Sequence, residues 1–489
     1  MLEGSESVRD RRWRLLLPWG AAALVVLIAL PTLGRRDLWL DEGFTVAGAN
    51  QLPEGIVWRS FSMATHYLLM AGWSQLSLDP SWLRLPSLLF SAAAAGLATH
   101  LALRLFGREV ARTTAVLLPL LCGTIVYAQE ARSYALVGLL TVVTWYVIAV
   151  VLEDDRPPLW VAWGLAAALL VYSHPLAVTT LFAQGLVVLH RERSVTATLT
   201  RSRIGVLIVA ISLVPMVVAM AKGYESVPDW IPPLGAESLE EVVTLLVGRF
   251  APAQVLVTVA LVLATLVVVR RRAEDPRTAV LLAWVWVPVL ALVLISLTSP
   301  TVMGRYLIGI LPGVAILLAV GLRELPRPRW RIAATLALVL LTIPGLVDHL
   351  RQPGPPWSQA IDIVAAGSSD PTRHGVFFPD AYNRPAFEVN AAGTDLWRRT
   401  RPVAPTHPWG ELKRYHDDMS LDDLAREVAG LEVIWAVWQD HLLWAGIPSF
   451  EGTAVDLMAS VGFCPGERHD LAEEIHVLRF EPCPSGGGG

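Results

Sequence analysis

The sequence predicts a polytopic α-helical membrane protein of about eleven spans followed by a C-terminal α/β domain outside the membrane, and three observations lead there. Of the 489 residues 54% are hydrophobic and only 17% charged, with a mean hydropathy of +0.50, far too apolar for a water-soluble chain of this size. The apolar residues gather into runs long enough to cross a bilayer. Charge is unevenly spread, with 11 Lys+Arg against 20 Asp+Glu in residues 349–489 and 28 against 23 in the rest. This division sets a membrane domain at 1–348 and an extracytoplasmic domain at 349–484, and the closing SGGGG, 485–489, reads as a linker remnant.

Taken in order, the chain opens with a polar tail, Met1 to Arg14, that holds Arg9, Arg11, Arg12 and Arg14. It is too charged for a removed signal peptide and no small-residue cleavage site follows Leu33, so it reads as the cytoplasmic flank of a first span at 15–33. Further apolar runs fall near 84–105, 113–128, 134–152, 159–173, 176–189, 204–221, 252–269, 278–297, 306–322 and 331–347. Arginine tests this order, because cytoplasmic loops carry the excess of positive charge. Arg104 with Arg108 and Arg112, Arg191 with Arg193, Arg201 and Arg203, Arg270 to Arg272 with Arg277, and Arg323 with Arg327, Arg329 and Arg331 all fall on the side of the N-terminal tail. Two places resist the pattern: the EDDRPP turn near Asp154 is acidic for a cytoplasmic loop, and Arg35 with Arg36 lies outside.

An odd number of spans places the remaining polar segments on the outer face. In the first outer loop, RRDLWLDEGFTVAGANQ over 35–51, Asp41 and Glu42 stand just beyond the span, with Trp39, Leu40 and Phe44 to hold them at the lipid boundary. They read either as the catalytic pair beside a lipid-carried substrate or as acids in the first turn of an interfacial helix, where they favour its dipole. After Pro53, residues 56–73 read as a helix in the interface plane whose single imidazole, His66, is either packed or a ligand. The turn TIVYAQEARSYAL carries Glu130 and Arg132 at the end of a span, where an acid must be paired or wet. Those two either close the turn as an ion pair or turn Glu130 toward the acids of the first loop. His174, before Pro175 at the outer end of the fifth span, is a helix-end histidine or the partner of an acid. The segment 222–250, with Pro228, Pro232 and Pro233 near Trp230, reads as a mobile flap over a substrate or as a plain connector.

Beyond Val347, GVFFP, LEVIWAVW and EIHVLRF have the pattern of strands, alternating with helix-like WSQAIDIVAAG, YNRPAFEVN, SLDDLAREVAG and EGTAVDLMASVG. An α/β sandwich follows, without a phosphate loop or nucleophile motif, suited to binding an acceptor, covering an active site or capping the membrane part. Cys464 and Cys483 both lie in it, where an oxidising compartment permits a disulfide, whereas Cys122 is alone in a span. One Asp-Glu pair without a clear third ligand is weak support for a metal, so no cofactor is assigned.

DLWLDEGFT in the first outer loop, YAQEARSYAL between the third and fourth spans, and SPTVMGRYLIGILPGVAILLAVGL near the tenth together resemble the GT-C membrane glycosyltransferases. The nearest branch is the protein mannosyltransferase and aminoarabinose transferase kind, as found in actinobacteria. The resemblance covers most of residues 15–348, and the soluble tail is similar to that of some actinobacterial members. It implies a GT-C fold and an inverting glycosyltransferase of the bacterial plasma membrane. Such an enzyme moves a sugar, here mannose or arabinofuranose, from a polyprenyl-phosphate donor to a glycan, glycolipid or protein acceptor on the outer face. By this resemblance Asp41 deprotonates the acceptor hydroxyl, a contribution of about 10²–10⁴-fold, and Glu42 orients it. Arg305, in GRYL, is the candidate to fork onto the donor phosphate, with Tyr306 beside the lipid and Glu130 and Arg132 on the same donor side. Related members often carry a histidine just before a YYLLM-like stretch. Met63 stands near that place here, which leaves His66 and His174 as acceptor-side or auxiliary residues.

Two other classes share parts of this pattern. A transporter would use charged residues at mid-membrane and show two related halves, and the sequence has neither. A subunit that only binds lipid-linked sugar would fit the architecture without any chemistry. Membrane lipid is an expected partner and nucleic acid is not.

Overall fold

The computed structural model describes residues 8–50, 52, 61–222, 231–272, 275–379, 382–404, 420–440 and 450–484. Residues 53–60 of the first outer loop, residues 223–230 with Pro228 and Trp230, and the terminal SGGGG lie outside these. Contacts divide the chain into two units, one of Met1–Leu33, Ser60–His66 and Arg84–Gln352, the other of Gly34–Arg59, Tyr67–Leu83 and Pro353–Gly489. The loop bearing Asp41 and Glu42 therefore groups with the C-terminal part of the chain, which a boundary drawn by composition at 348 does not anticipate.

Among the described residues eight helices are long and apolar enough to cross a membrane: Leu15–Thr32, Pro80–Phe106, Tyr134–Val151, Val195–Ala219, Ala251–Arg272, Pro276–Ser296, Gly304–Arg323 and Pro328–Arg351. A ninth arises if Arg108–Leu120 and Cys122–Ala128, bent by 55°, form one broken crossing. All eleven apolar runs are helical, but three are cut short for local reasons. Leu121, after Pro119, takes an extended backbone (φ −64, ψ 129) and splits one run. Pro157–Ser173 stops at 17 residues before His174 and Pro175, and Val178–Glu192 stops at 15, where Arg193 turns left-handed (φ 52). A straight crossing takes roughly 20 residues.

Within the first unit Tyr134–Val151 and Gly304–Arg323 are central, with 67% and 72% of their most apolar stretch buried, against 22% for Val195–Ala219. Trp145 and Trp284 stack there at 5.4 Å, and the Trp284 indole donates to the Gly309 carbonyl at 2.9 Å, so a polar group far from water is satisfied by backbone. At one end the arginine-rich loops interlock. Arg323 donates to the Phe106 carbonyl and Arg277 to that of Leu105, both at 2.7 Å, while Arg272 pairs with Glu324 at 2.6 Å and Arg331 with Glu109 at 2.9 Å. The acidic EDDRPP turn belongs to this set: Glu153 pairs with Arg104, and Asp155 with Arg201 at 3.5 Å. Its carboxylates answer the arginines of neighbouring loops, which is why acid is found on that side. The opposite helix ends carry the Gln129–Ser133 turn, His174 and the short 3₁₀ turn that starts at Gly304.

The second unit contains a five-stranded sheet of β1 (His374–Phe377), β2 (Arg401–Ala404), β3 (Val433–Gln439), β4 (Phe463–Asp470) and β5 (Ile475–Pro482), in the order β2-β1-β3-β5-β4. β1 runs parallel to β2 and β3, and β5 antiparallel to β3 and β4. Alternation along β3 sends Val433, Trp435 and Val437 to a core with Trp357 and Phe387, and Ile434, Ala436 and Trp438 to a second core with Leu424, Ala454 and Met458. Helices cover both faces, Trp357–Ala366 and Asn383–Asn390 on one, Leu421–Val428 and Phe450–Ser460 on the other. Leu40 and Phe44 of the first outer loop are buried in the core of Trp357 and Phe387. Cys464 and Cys483 form a disulfide across the β4–β5 edge.

Candidate active site

In the second unit, the acids sit on a short helix, Leu40–Asn50, and fill its first turn. The Glu42 carboxylate is fully buried and accepts a hydrogen bond from the Trp39 backbone N–H at 3.2 Å, so it caps the start of its own helix. Asp41 is half-buried, and its carbonyl accepts from the Thr45 hydroxyl at 3.1 Å. Both acids thus stand in the first turn, as the helix reading has it: Glu42 caps the helix, and Asp41 is the more exposed of the two.

In the first unit, the other candidates converge on the Gln129–Ser133 turn. Gln129, almost fully buried, donates to the Ala29 carbonyl at 2.6 Å and the Thr32 hydroxyl at 2.8 Å, and its Oε1 meets His349 Nε2 at 3.1 Å. The turn is thereby tied to the end of the first span and to the helix Pro328–Arg351. His66 Nε2 donates to the Ala131 carbonyl at 3.3 Å, and the Ser87 hydroxyl to that of Arg132 at 3.4 Å. The backbone that carries Glu130 and Arg132 is therefore held from several sides.

Arg132 is buried, as is His174. The His174 ring lies 4.6 Å from that of Tyr306 and 6.2 Å from that of Tyr134, and both Arg132 and Arg305 stand within electrostatic reach of it. Burial first, and then these two cations, push the His174 imidazole down to about 3. His66 is lowered to about 4, chiefly by burial and further by Arg132. Both imidazoles are neutral near pH 7, so the positive charge of the cluster resides on the guanidiniums. Among the described residues no acid is paired with His66 or His174.

Arg305 is set by its neighbour. A Cβ on Gly304 would come within 2.6 Å of the Glu241 carbonyl oxygen, so only glycine lets this turn approach the helix Ala236–Val247 so closely. That helix belongs to the segment read as a flap; its C-terminal end is anchored by the buried Leu245, Leu246 and Val247, while Leu239 is exposed. Glu241, Glu130 and Arg305 all lie within electrostatic reach of Tyr127, whose ring is 5.1 Å from that of Tyr134. Gln129, Tyr127 and Glu241 were not singled out from sequence, although Gln129 stands next to Glu130 in a turn that was. Among the described residues no three His, Cys, Asp or Glu side chains come together as a metal site, and Asp41 with Glu42 does not supply one.

No family model matches the chain, and no curated protein matches its sequence. Solved structures do. ArnT from Cupriavidus metallidurans in the apo state superposes with a TM-score of 0.62 at 15% identity, over 96% of this chain and 98% of that one. The same protein bound to undecaprenyl phosphate gives 0.60 at 14% identity, over 94% and 97%. The Archaeoglobus fulgidus oligosaccharyltransferase, tethered by a disulfide to an acceptor peptide containing the NVT sequon, gives 0.51 at 12% identity, over 88% and 70%. The likeness is one of fold: a polytopic α-helical membrane protein with a β-containing C-terminal region.

Proposed function

We propose that a chain of this fold is an inverting glycosyltransferase that uses a polyprenyl-phosphate sugar and modifies a cell-envelope acceptor on the outer face of the plasma membrane. The observation that carries this reading is the pair Arg132 and Arg305 gathered around His174, whose ring lies against Tyr306. Two guanidiniums beside neutral rings, at helix ends opposite the interlocked arginine loops, suit a phosphate presented at the membrane boundary. The ArnT structure with undecaprenyl phosphate is a precedent for a lipid phosphate on this fold. The orientation rests on the arginine loops facing the cytoplasm.

In the proposed reaction the acceptor hydroxyl oxygen attacks the anomeric carbon as the bond from that carbon to the phosphate oxygen breaks. Asp41 takes the hydroxyl proton, and the polyprenyl phosphate leaves with its new charge held by Arg132 and Arg305. A single displacement inverts the anomeric centre. Glu42 keeps the helix of Asp41 in register, and Tyr306 flanks the phosphate end of the lipid. Mannose and arabinofuranose are the sugars to test first, with glycan, glycolipid or protein as acceptor.

The decisive experiment is transfer by purified protein from radiolabelled polyprenyl-phosphate sugar, comparing the parent with Asp41→Asn. Asparagine keeps the size of the side chain but cannot take the proton, so transfer is expected to fall about 10²–10⁴-fold in normally folded protein. Unchanged transfer would remove Asp41 as the base. Donor binding without any sugar release by the parent would make the protein a binding subunit instead.

A further inference from the structure

We infer that the C-terminal α/β part of the second unit is a clamp that fixes the helix of Asp41, with Asn390 and Ser358 as its positioning residues; this rests on the reading of Asp41 as the base. The Asn390 amide accepts from the Leu38 N–H at 3.0 Å and donates to the Leu38 carbonyl at 2.9 Å, so one side chain pairs with both backbone groups of a residue 352 positions away. A further bond to the Ala386 carbonyl, at 2.8 Å, ties that amide to its own helix. One residue earlier, both Asp37 carboxylate oxygens accept from Ser358, from its N–H at 2.7 Å and its hydroxyl at 2.8 Å.

On the other side of Asp41 the contact is backbone on backbone. A Cβ on Gly43 would fall 2.5 Å from the Ala386 nitrogen, so the helices Leu40–Asn50 and Asn383–Asn390 touch where only glycine fits. The Phe44 ring meets Tyr382 edge-on at 5.3 Å, and Leu40 and Phe44 are buried with Trp357 and Phe387. The residues on both sides of Asp41 are thus anchored to the C-terminal part while its own side chain stays half-exposed. A carboxylate held this way is preorganised, and a misplacement of about 1 Å costs on the order of 10²-fold in rate.

The test uses the full chain in nanodiscs, with hydrogen exchange over residues 37–46 and steady-state sugar transfer. Asn390→Ala should speed exchange in that stretch and lower kcat about 10–100-fold, with the donor KM within roughly twofold of the parent. Asn390→Asp keeps the acceptor for the Leu38 N–H and should recover part of kcat. The milder Ser358→Ala should lower kcat less, and Ser358→Thr should restore it, which keeps the test open if Asn390→Ala accumulates poorly. Unchanged exchange together with unchanged kcat in Asn390→Ala and Ser358→Ala overturns the clamp while leaving Asp41 untouched. If the parent itself transfers no sugar, the glycosyltransferase reading fails, and the exchange measurement alone still decides whether the clamp exists.

Discussion

Burial, reinforced by Arg132, lowers two imidazoles, and the charge state of the cluster follows from that. With its folded value near 4 against an ordinary 6.5, His66 binds fewer protons folded than unfolded between those pH values. Stability therefore rises with pH through that window, is fully present above 6.5, and is lost as pH falls toward 4. His174 extends the same effect down to about 3. Thermal unfolding in detergent should show a midpoint that drops on acidification below pH 6.5, and His66→Gln should flatten the slope; a midpoint independent of pH from 4 to 6.5 would contradict these buried neutral rings. On the proposed mechanism Arg305→Ala removes a charge-assisted contact to the donor phosphate of roughly 1.5–3 kcal/mol, so the donor requirement should rise by about 10- to 150-fold. Arg305→Lys should regain only part, because an ammonium cannot fork onto two oxygens. If donor kinetics are unmoved, the phosphate role passes to Arg132.

The helices and strands show which signals a sequence carries. Every apolar run is helical because hydropathy is local, and β1, β3 and β5 stand out because both faces of β3 and half of β5 are buried. β2 and β4 do not, for they are the edge strands. β4 is FCPGERHD, with a proline, a glycine and charges, an exposed pattern and a register shift between Pro465 and Arg468. Asp41 and Arg132 could be singled out as charges at span ends, whereas Arg305, and its grouping with Arg132 on a donor side, was legible only through a family resemblance. Asn390 and Gln129 could not, since an amide gives no signal in charge or hydropathy and their partners are far away in sequence. The disulfide staples the β4 edge. Cys464 and Cys483 are separated by 19 residues, so replacing both by serine should cost about 3 kcal/mol and lower the thermal midpoint of the C-terminal region. An unshifted midpoint would mean that the β4–β5 pairing needs no staple.

For the molecule as a whole, the arrangement of charge makes a topological prediction. A cysteine at the exposed Asp362 should react with an impermeant thiol reagent in intact cells, and one at the exposed Thr200 should react only after permeabilisation. The native thiols interfere little, because Cys122 is buried and the other two are joined. Reversed labelling would place Asp41 on the cytoplasmic side and end the proposed mechanism.

The burial of Leu40 and Phe44 with Trp357 and Phe387 also has a consequence in time. A ribosome adds roughly 5–20 residues per second, so the stretch from Phe44 to Trp357 takes on the order of 15–60 s to synthesise. During that interval the membrane helices can insert one after another while the loop of Asp41 waits without the surface that later holds it. On the proposed mechanism the nascent chain carries its acid long before that acid is positioned, and sugar transfer begins only when the last strands leave the ribosome and fold.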